Sequence, residues 1–131
     1  MGQLAAMANI IQTTPFMHVP LAEFESAVTF FRVLLGFKEH VHSNDYAYLE
    51  RDGCGIRIWG RKDPADAPRG CRNFRYYYDV RDVDALYAEL KPKLDKLPKH
   101  DVHGPADKDY GQRELLILAP DGDLVCFGQR L

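Results

Sequence analysis

The sequence predicts an α+β domain in which two βαβββ repeats form a curved mixed sheet around an open cup. Two stretches have the apolar spacing of an amphipathic helix, and each lies among short apolar or alternating segments that are typical of strands. The second observation is an Asp-Gly turn signal that occurs late in each half of the chain. Two helices and six or more strands would also suit another α+β sandwich, so the repeat must be tested by its register.

The first helix is predicted to begin at Phe24 and to follow a short strand at residues 16–21. Glycine commonly ends a helix because it adopts the left-handed conformation at no steric cost, and Gly36 stands at the expected end. The apolar face has the i, i+3, i+4, i+7 spacing and consists of Phe24, Ala27, Val28, Phe31, Leu34 and Leu35.

The second helix is predicted to begin after Asp82, a residue type that caps helix N-termini well. A strand at residues 74–80 precedes it, and Pro92 is expected to end or kink it early. Its apolar stripe consists of Val83, Leu86, Tyr87, Leu90, Leu94 and Leu97.

The two halves correspond at constant shifts. The Asp-Gly pair at residues 52–53 matches the pair at residues 121–122 at a shift of 69 (121 − 52), and Glu23 matches Asp82 at a shift of 59 (82 − 23). Strands flank both turns. We therefore expect a tail at residues 1–14 and one domain at 15–131, with half one at about 15–60, a linker at 61–73 and half two at about 74–131.

Composition excludes several classes of function. The chain has 131 residues and a net charge of −2, so it carries no excess of basic groups for nucleic-acid phosphates. No apolar run approaches the roughly 20 residues of a membrane span, and the start lacks the pattern of a signal peptide. Three cysteines without a Cys-x-x-Cys pair argue for reduced thiols. We expect a cytoplasmic protein with a small-molecule ligand.

Three motifs in order resemble a known family. Residues 26–37, SAVTFFRVLLGF, are similar to the pattern S-x-x-F-Y-x-x-x-L-G-F of the vicinal oxygen chelate superfamily, which includes glyoxalases, extradiol dioxygenases and bleomycin-resistance proteins. Residues 110–114, YGQRE, and 119–125, APDGDLV, resemble W-G-x-R-E and D-P-D-G-x-x. The resemblance covers about residues 15–129 and implies the glyoxalase/bleomycin-resistance fold.

The resemblance also allows the metal site to be tested. Metal-using members take ligands from the first and last strands of each half, and the equivalent positions here are Phe16, Arg57, Arg75 and Cys126. Only Cys126 has a side chain suited to a divalent metal, and such sites need three or more donors. We therefore predict that the protein binds no metal and needs no cofactor.

Alternation of side chains along strands predicts what lines the cup instead. We expect an aromatic and charged lining that suits a planar or amphipathic organic ligand. Arginines would orient an anionic group, or Glu50 and Asp79 a cationic one; alternatively, the charges would pair internally as Arg75 with Glu50 or Arg57 with Asp79. The predicted ligand-binding residues are His18, Tyr46, Tyr48, Glu50, Arg57, Trp59, Arg75, Tyr77, Arg113 and Cys126. Phe16, Leu115 and Ile117 are expected on the same face.

Three functions remain open at this point. The resemblance to bleomycin-resistance proteins, which hold a drug in grooves between two subunits, implies a metal-free, homodimeric binding protein for drug or toxin sequestration and antibiotic resistance. The alternatives are a metal-dependent glyoxalase-like lyase, isomerase or transferase, and a non-catalytic dimerisation module. His18 is a candidate general base and Cys126 a candidate nucleophile, although a hydrogen-bonded histidine and a buried thiol are the commoner roles.

Overall fold

The computed structural model describes residues 8–131, and the first half of the predicted tail, residues 1–7, lies outside the described residues. The elements of the first half are β1 (Phe16–Pro20), α1 (Phe24–Thr29), β2 (Lys38–His42), β3 (Tyr46–Arg51) and β4 (Cys54–Arg61). Those of the second half are β5 (Arg75–Asp79), α2 (Val83–Leu94), β6 (Val102–Asp107), β7 (Gln112–Leu118) and β8 (Leu124–Arg130). The order βαβββ therefore occurs twice, as predicted.

Both helices form where the apolar spacing predicts them. α1 continues as a π-helical turn at Phe30–Leu34 and stops at Gly36, whose φ is +75°. Asp82 caps α2 by accepting a hydrogen bond from the backbone N–H of Ala85 at 3.0 Å. Pro92 lies inside α2, which ends only at Leu94. Within residues 8–131, no helix is long and apolar enough to cross a membrane.

The strands form two mixed four-stranded sheets with the same topology. The first sheet has the order β1-β4-β3-β2 and the second β5-β8-β7-β6. In each sheet the first and last strands of the repeat pair in parallel, with Phe16 opposite Arg57 and Tyr77 opposite Cys126. The predicted fold class is confirmed, and each sheet has one face toward the helices and one face turned away from them.

The core lies between the helices and both sheets. One continuous cluster of buried side chains takes residues from β1, β4, β5, β7 and β8 and from both helices. The strand residues that alternate with the predicted cup lining, and so should face the helices, all belong to it or pack against it: Met17, Val19, Ile56, Ile58, Tyr76, Tyr78, Val125 and Phe127. Arg51 joins the halves by donating two hydrogen bonds to the Glu89 carboxylate at 2.8 and 2.7 Å.

The two Asp-Gly turns differ in a way that matters for the site. Asp52 and Gly53 form a tight turn with positive φ at both residues, and Arg51 pairs directly with Cys54. In the second half Leu118 pairs with Leu124, so residues 119–123 form a longer connection. The turn is therefore three residues longer in the second hairpin (five against two).

A bulge in β2 separates His40 and His42, which would share a face on a regular strand because they are two residues apart. The register shifts between Glu39 and Val41, so His40 lies near Tyr48 on the outer face, with ring centroids 5.7 Å apart, while His42 contacts Glu25 of α1 at 3.0 Å. Partial burial acts to lower the pKa of His42, but hydrogen bonds to Glu39 and Glu25 outweigh it, so the pKa is raised. The pKa of Glu39 is lowered by hydrogen bonds from Arg32 and His42.

Candidate ligand-binding faces

The outer face of the first sheet carries a group of aromatic rings. We call this the aromatic face; it comprises Phe16, His18, Tyr46, Tyr48, Arg57 and Trp59. The ring of Trp59 lies 5.4 Å from His18 and 6.2 Å from Phe16, measured between centroids. Phe16 and Trp59 remain 48% and 38% exposed. Large rings that stay this exposed on one surface are typical of a contact or ligand site.

Arg57 is the cation at the centre of the aromatic face. Its guanidinium donates a hydrogen bond to the Tyr46 hydroxyl at 2.5 Å and lies 4.8 Å from the centroid of the Tyr48 ring. Within residues 8–131 it forms no ion pair with a carboxylate. The half-buried guanidinium therefore keeps donors for an anionic group.

His18 has a partner that sequence reasoning missed. The Arg61 guanidinium lies 3.0 Å from His18 Nδ1 and, at 3.8 Å, over the Trp59 ring. Because a guanidinium only donates, Nδ1 must accept, and the proton of the neutral ring then resides on Nε2. The accepting lone pair of His18 is occupied, so this arrangement favours a positioning role for the histidine rather than a general base.

Tyr48 and Glu50 of β3 are the remaining predicted site residues of the first sheet. The Tyr48 hydroxyl donates to Glu50 at 3.1 Å and accepts from the Gln12 amide at 2.8 Å. Its ring lies across Gly55, where an added Cβ would approach Tyr48 Cε1 to 2.7 Å. His40 lies 3.5 Å from the other Glu50 oxygen. The carboxylate of Glu50 is therefore engaged within the sheet and is not free to orient a cationic ligand.

The outer face of the second sheet is organised by Glu114, which the sequence did not single out. Glu114 is only 1% exposed. Its carboxylate accepts hydrogen bonds from Tyr110 at 2.6 Å, Tyr77 at 2.9 Å and Arg75 at 3.2 Å. Three donors satisfy a carboxylate that burial would otherwise penalise. This face is thus largely filled by its own side chains.

Cys126 lies under that network and is fully buried. Burial raises the pKa of the Cys126 thiol to about 12; Glu114 adds to the rise and Arg75 opposes it. The thiolate that a nucleophile requires is therefore disfavoured at neutral pH. Burial and the hydrogen bond to Glu114 likewise raise the pKa of Tyr77, so its hydroxyl stays a donor.

Three predicted positions on β7 were wrong. Leu115 and Ile117 are buried in the core on the helix side, and Arg113 on the same side pairs with Asp84 of α2 and with Asp107. The cause is the longer second turn. Tyr48 pairs with Arg57, whereas Leu116 pairs with Cys126, so β3 and β7 correspond at a shift of 68 (116 − 48), and a one-residue slip exchanges the faces.

The outer faces of the two sheets carry separate side-chain networks. In residues 8–131 no hydrogen bond, ion pair or ring contact joins the aromatic face to the Glu114 network; the halves touch on the helix side, as where the Tyr78 hydroxyl donates to the Gly55 carbonyl. The internal pairs considered from sequence, Arg75 with Glu50 and Arg57 with Asp79, do not form. Arg75 pairs with Glu114 instead.

The donor set does not fit a metal. Phe16 faces Arg57 across the first parallel pair, but across the second pair Cys126 faces Tyr77, and Arg75 pairs with Leu124 instead. With either residue, Cys126 is the one side chain among the four positions suited to a divalent metal. Among residues 8–131, no three His, Cys, Asp or Glu side chains are grouped so as to hold an ion.

Known proteins share this fold over nearly the whole chain. No protein-family model matches the chain. It is 23% identical over 135 residues to the bleomycin resistance proteins of Geobacillus stearothermophilus and Staphylococcus aureus, covering 93% of this chain and 98% of each of those proteins. The predicted resemblance to the vicinal oxygen chelate superfamily is confirmed.

Solved structures agree. The bleomycin-binding protein of Streptomyces verticillus, crystallised with copper(II)-bleomycin, has a TM-score of 0.71 at 20% identity and covers 92% of this chain and 97% of that one. A glyoxalase/bleomycin resistance protein/dioxygenase from Nocardioides has a TM-score of 0.68 at 17% identity, covering 98% and 89%. At these identities the structural likeness establishes the fold.

Proposed function

We propose that this protein binds a small organic molecule on the aromatic face, as a metal-free binding protein of the bleomycin-resistance type. The observation that carries the proposal is the set of exposed rings around Arg57. Rings provide stacking area at little cost in side-chain entropy, and a few fixed polar groups orient the ligand, which is how small-molecule sites are commonly built. The relatives named for bleomycin resistance support the same class of function.

The charges favour an aromatic ligand with an anionic group. Glu50 is engaged by His40 and Tyr48, whereas the polar and cation-π contacts of the Arg57 guanidinium within the described residues are to Tyr46 and Tyr48, neither of which carries a charge. A guanidinium in a partly dry setting binds carboxylate or phosphate groups well. Of the two orientations that the sequence left open, the first sheet therefore supports the anionic one.

A second copy of the chain would complete the site. The aromatic face is open, and the second sheet presents Tyr77 and Tyr110, which are 37% and 58% exposed. We propose that the first sheet of one protomer and the second sheet of another enclose the ligand in a homodimer acting in the cytoplasm. Light scattering of the purified protein tests this: a monomer at micromolar concentration, with and without ligand, would contradict it.

The binding test uses the single tryptophan of the chain, Trp59. Two matched nitroaromatic quenchers, 4-nitrobenzoate and 4-nitrobenzylammonium, differ in the sign of their charge, and bleomycin is the third probe. We expect saturable quenching, tighter for the benzoate. Arg57→Gln should weaken benzoate binding about tenfold, because a hydrogen bond to a charged group contributes roughly 1.5 kcal/mol. Lys96→Gln, which removes an exposed charge after α2, is the matched control. No saturable quenching by any probe would refute the proposal.

The metal-dependent enzyme remains the competing function. Metal analysis of the protein purified without chelator decides between them. Stoichiometric nickel, zinc, iron or manganese, lost on chelation together with an activity, would overturn the metal-free proposal.

A further inference from the structure

A cavity lies on the helix side, away from the aromatic face. It has a volume of about 590 Å³ and opens between the β3–β4 turn, the end of β5 and the first turns of α2. Small-molecule sites commonly occupy about 300–1,000 Å³ and form where two structural units meet. This cavity meets both conditions, because the β3–β4 turn belongs to the first half and α2 to the second.

The cavity has an aromatic floor. Phe37, Tyr78 and Phe127 line it, and the ring of Tyr78 lies 5.7 Å from Phe37 and 5.6 Å from Phe127. Phe37 comes from the first half and the other two rings from the second. Leu86 of α2 adds an aliphatic wall. Phe37 and Phe127 are only 3% and 4% exposed, so an apolar molecule entering here would replace water mainly against the half-buried Tyr78 and Leu86.

The charges around the rim select a cation. The lining contains four carboxylates and two guanidiniums, so its formal charge is −2 (2 − 4). Arg51 is already committed to Glu89 by two hydrogen bonds. Asp52 also lies beside Arg51, with its carboxylate 3.7 Å from Arg51 Nε, whereas Asp79 forms no ion pair within residues 8–131. An ammonium over aromatic rings and beside carboxylates is stabilised by both.

We propose that this inter-half cavity is a second ligand site, which takes a small aromatic or benzylic cation. It differs from the aromatic face in location and in the sign of charge it accepts, and it does not depend on ligand binding there. Occupancy would bridge the two halves and so stabilise the fold in proportion to ligand concentration.

The first experiment is a charge-matched titration of the ¹⁵N-labelled protein. Benzyltrimethylammonium is expected to shift the backbone amides of Val80, Ala85 and Leu86 saturably and to leave the Trp59 indole N–H unchanged. Phenylacetate, of similar size and opposite charge, should bind at least about fivefold more weakly. Equal binding of the two probes, absence of saturable shifts at these amides, or shifts confined to Trp59 would each overturn the proposal.

Two variants sharpen the result. Asp79→Asn should weaken binding of the cation about two- to fivefold, the range expected for a solvent-accessible ion pair. Asp109→Asn, which changes an exposed aspartate outside the cavity, should leave the affinity for the cation unchanged. Cys54 lines the cavity and is exposed, so the cation should also slow its alkylation by iodoacetamide in a Cys71→Ser background. Unchanged alkylation at saturating cation would contradict the site. Because Trp59 reports only the aromatic face, either site can fail without the other.

Discussion

Replacing Glu114 tests whether the second sheet is held together by its buried carboxylate. Glu114→Gln keeps the shape of the side chain, but the amide nitrogen cannot accept, so at least one of the hydrogen bonds from Tyr77, Tyr110 and Arg75 is lost. The three donors themselves stay partly exposed, with the Arg75 side chain at 41%, and water can replace part of what they lose. We therefore expect a loss of about 1–2 kcal/mol in the free energy of unfolding, below the roughly 3–5 kcal/mol of a fully buried broken ion pair.

Glu114→Ala should cost more, about 3 kcal/mol, because it adds an empty volume to the lost hydrogen bonds. The assay is urea unfolding followed by Trp59 fluorescence, with Glu23→Gln as an exposed control expected within about 0.5 kcal/mol of the parent. If Glu114→Gln also falls within that range, the carboxylate network does not stabilise the fold and the reasoning is wrong.

Three further predictions concern stability and reactivity. Gly128→Ala should destabilise by about 1–3 kcal/mol, because its Cβ would lie 1.9 Å from the Tyr77 hydroxyl, and the cost in urea unfolding should nearly vanish in a Tyr77→Ala background. Because the pKa of His42 is raised in the folded protein, His42 contributes to stability below its unfolded pKa near 6.5, and this contribution is lost as the pH rises through the folded pKa. The pKa of Glu39 is lowered, so its contribution to stability is lost at acid pH instead. Unfolding at pH 5.5 and 8.5 should therefore show a smaller decline in His42→Gln than in the parent, and equal declines would exclude the effect. Iodoacetamide at pH 8.5 should modify two thiols of the native protein, as counted by mass spectrometry, and Cys126 only after unfolding; rapid modification of all three would contradict its burial.

For β1, β4, β5 and β8, the sequence predicted correctly which residues face the helices and which face outward. In β1 and β4, Met17, Val19, Ile56 and Ile58 alternate with polar or aromatic residues, so only one register buries the aliphatic set. Local patterning was sufficient in β1 and β4, where one face is much more apolar than the other. In β8, Leu124 to Phe127 are apolar at every position, and the assignment came from the shift between the two Asp-Gly turns.

β7 could not be assigned in this way. Its segment from Leu115 to Leu118 is apolar at every position. Leu116 is buried on the outer face with Cys126, and Leu115 is buried in the core, so both faces of this strand are apolar. Apolar and polar residues do not alternate here, so the prediction of which residues face the core depended on the length of the turn after β7. The Asp-Gly pair suggested a two-residue turn, whereas the turn has five residues. A single acidic residue next to such a run was the available signal for Glu114. A charge inside a continuous apolar strand is stable only where partners from other strands satisfy it.

The contact of Arg61 with His18 and Trp59 could not be predicted from the sequence for a different reason. Residues 18 and 61 are brought together by the parallel pairing of β1 with β4, a contact across 43 positions that no local pattern encodes. Likewise, the bulge that turns His40 and His42 to opposite faces leaves no clear mark in the residues around it.

The glycines beneath Tyr48 and Tyr77 bear on how this molecule could recognise ligands. The hydroxyl end of each phenol lies over a glycine of the neighbouring strand, Gly55 in one half and Gly128 in the other, and each hydroxyl donates a hydrogen bond to a carboxylate. These rings lose their rotational freedom when the chain folds, so a molecule that stacks on them adds little further cost in side-chain entropy. Selectivity at such a surface would come from shape and charge complementarity, with little adjustment of the protein on binding.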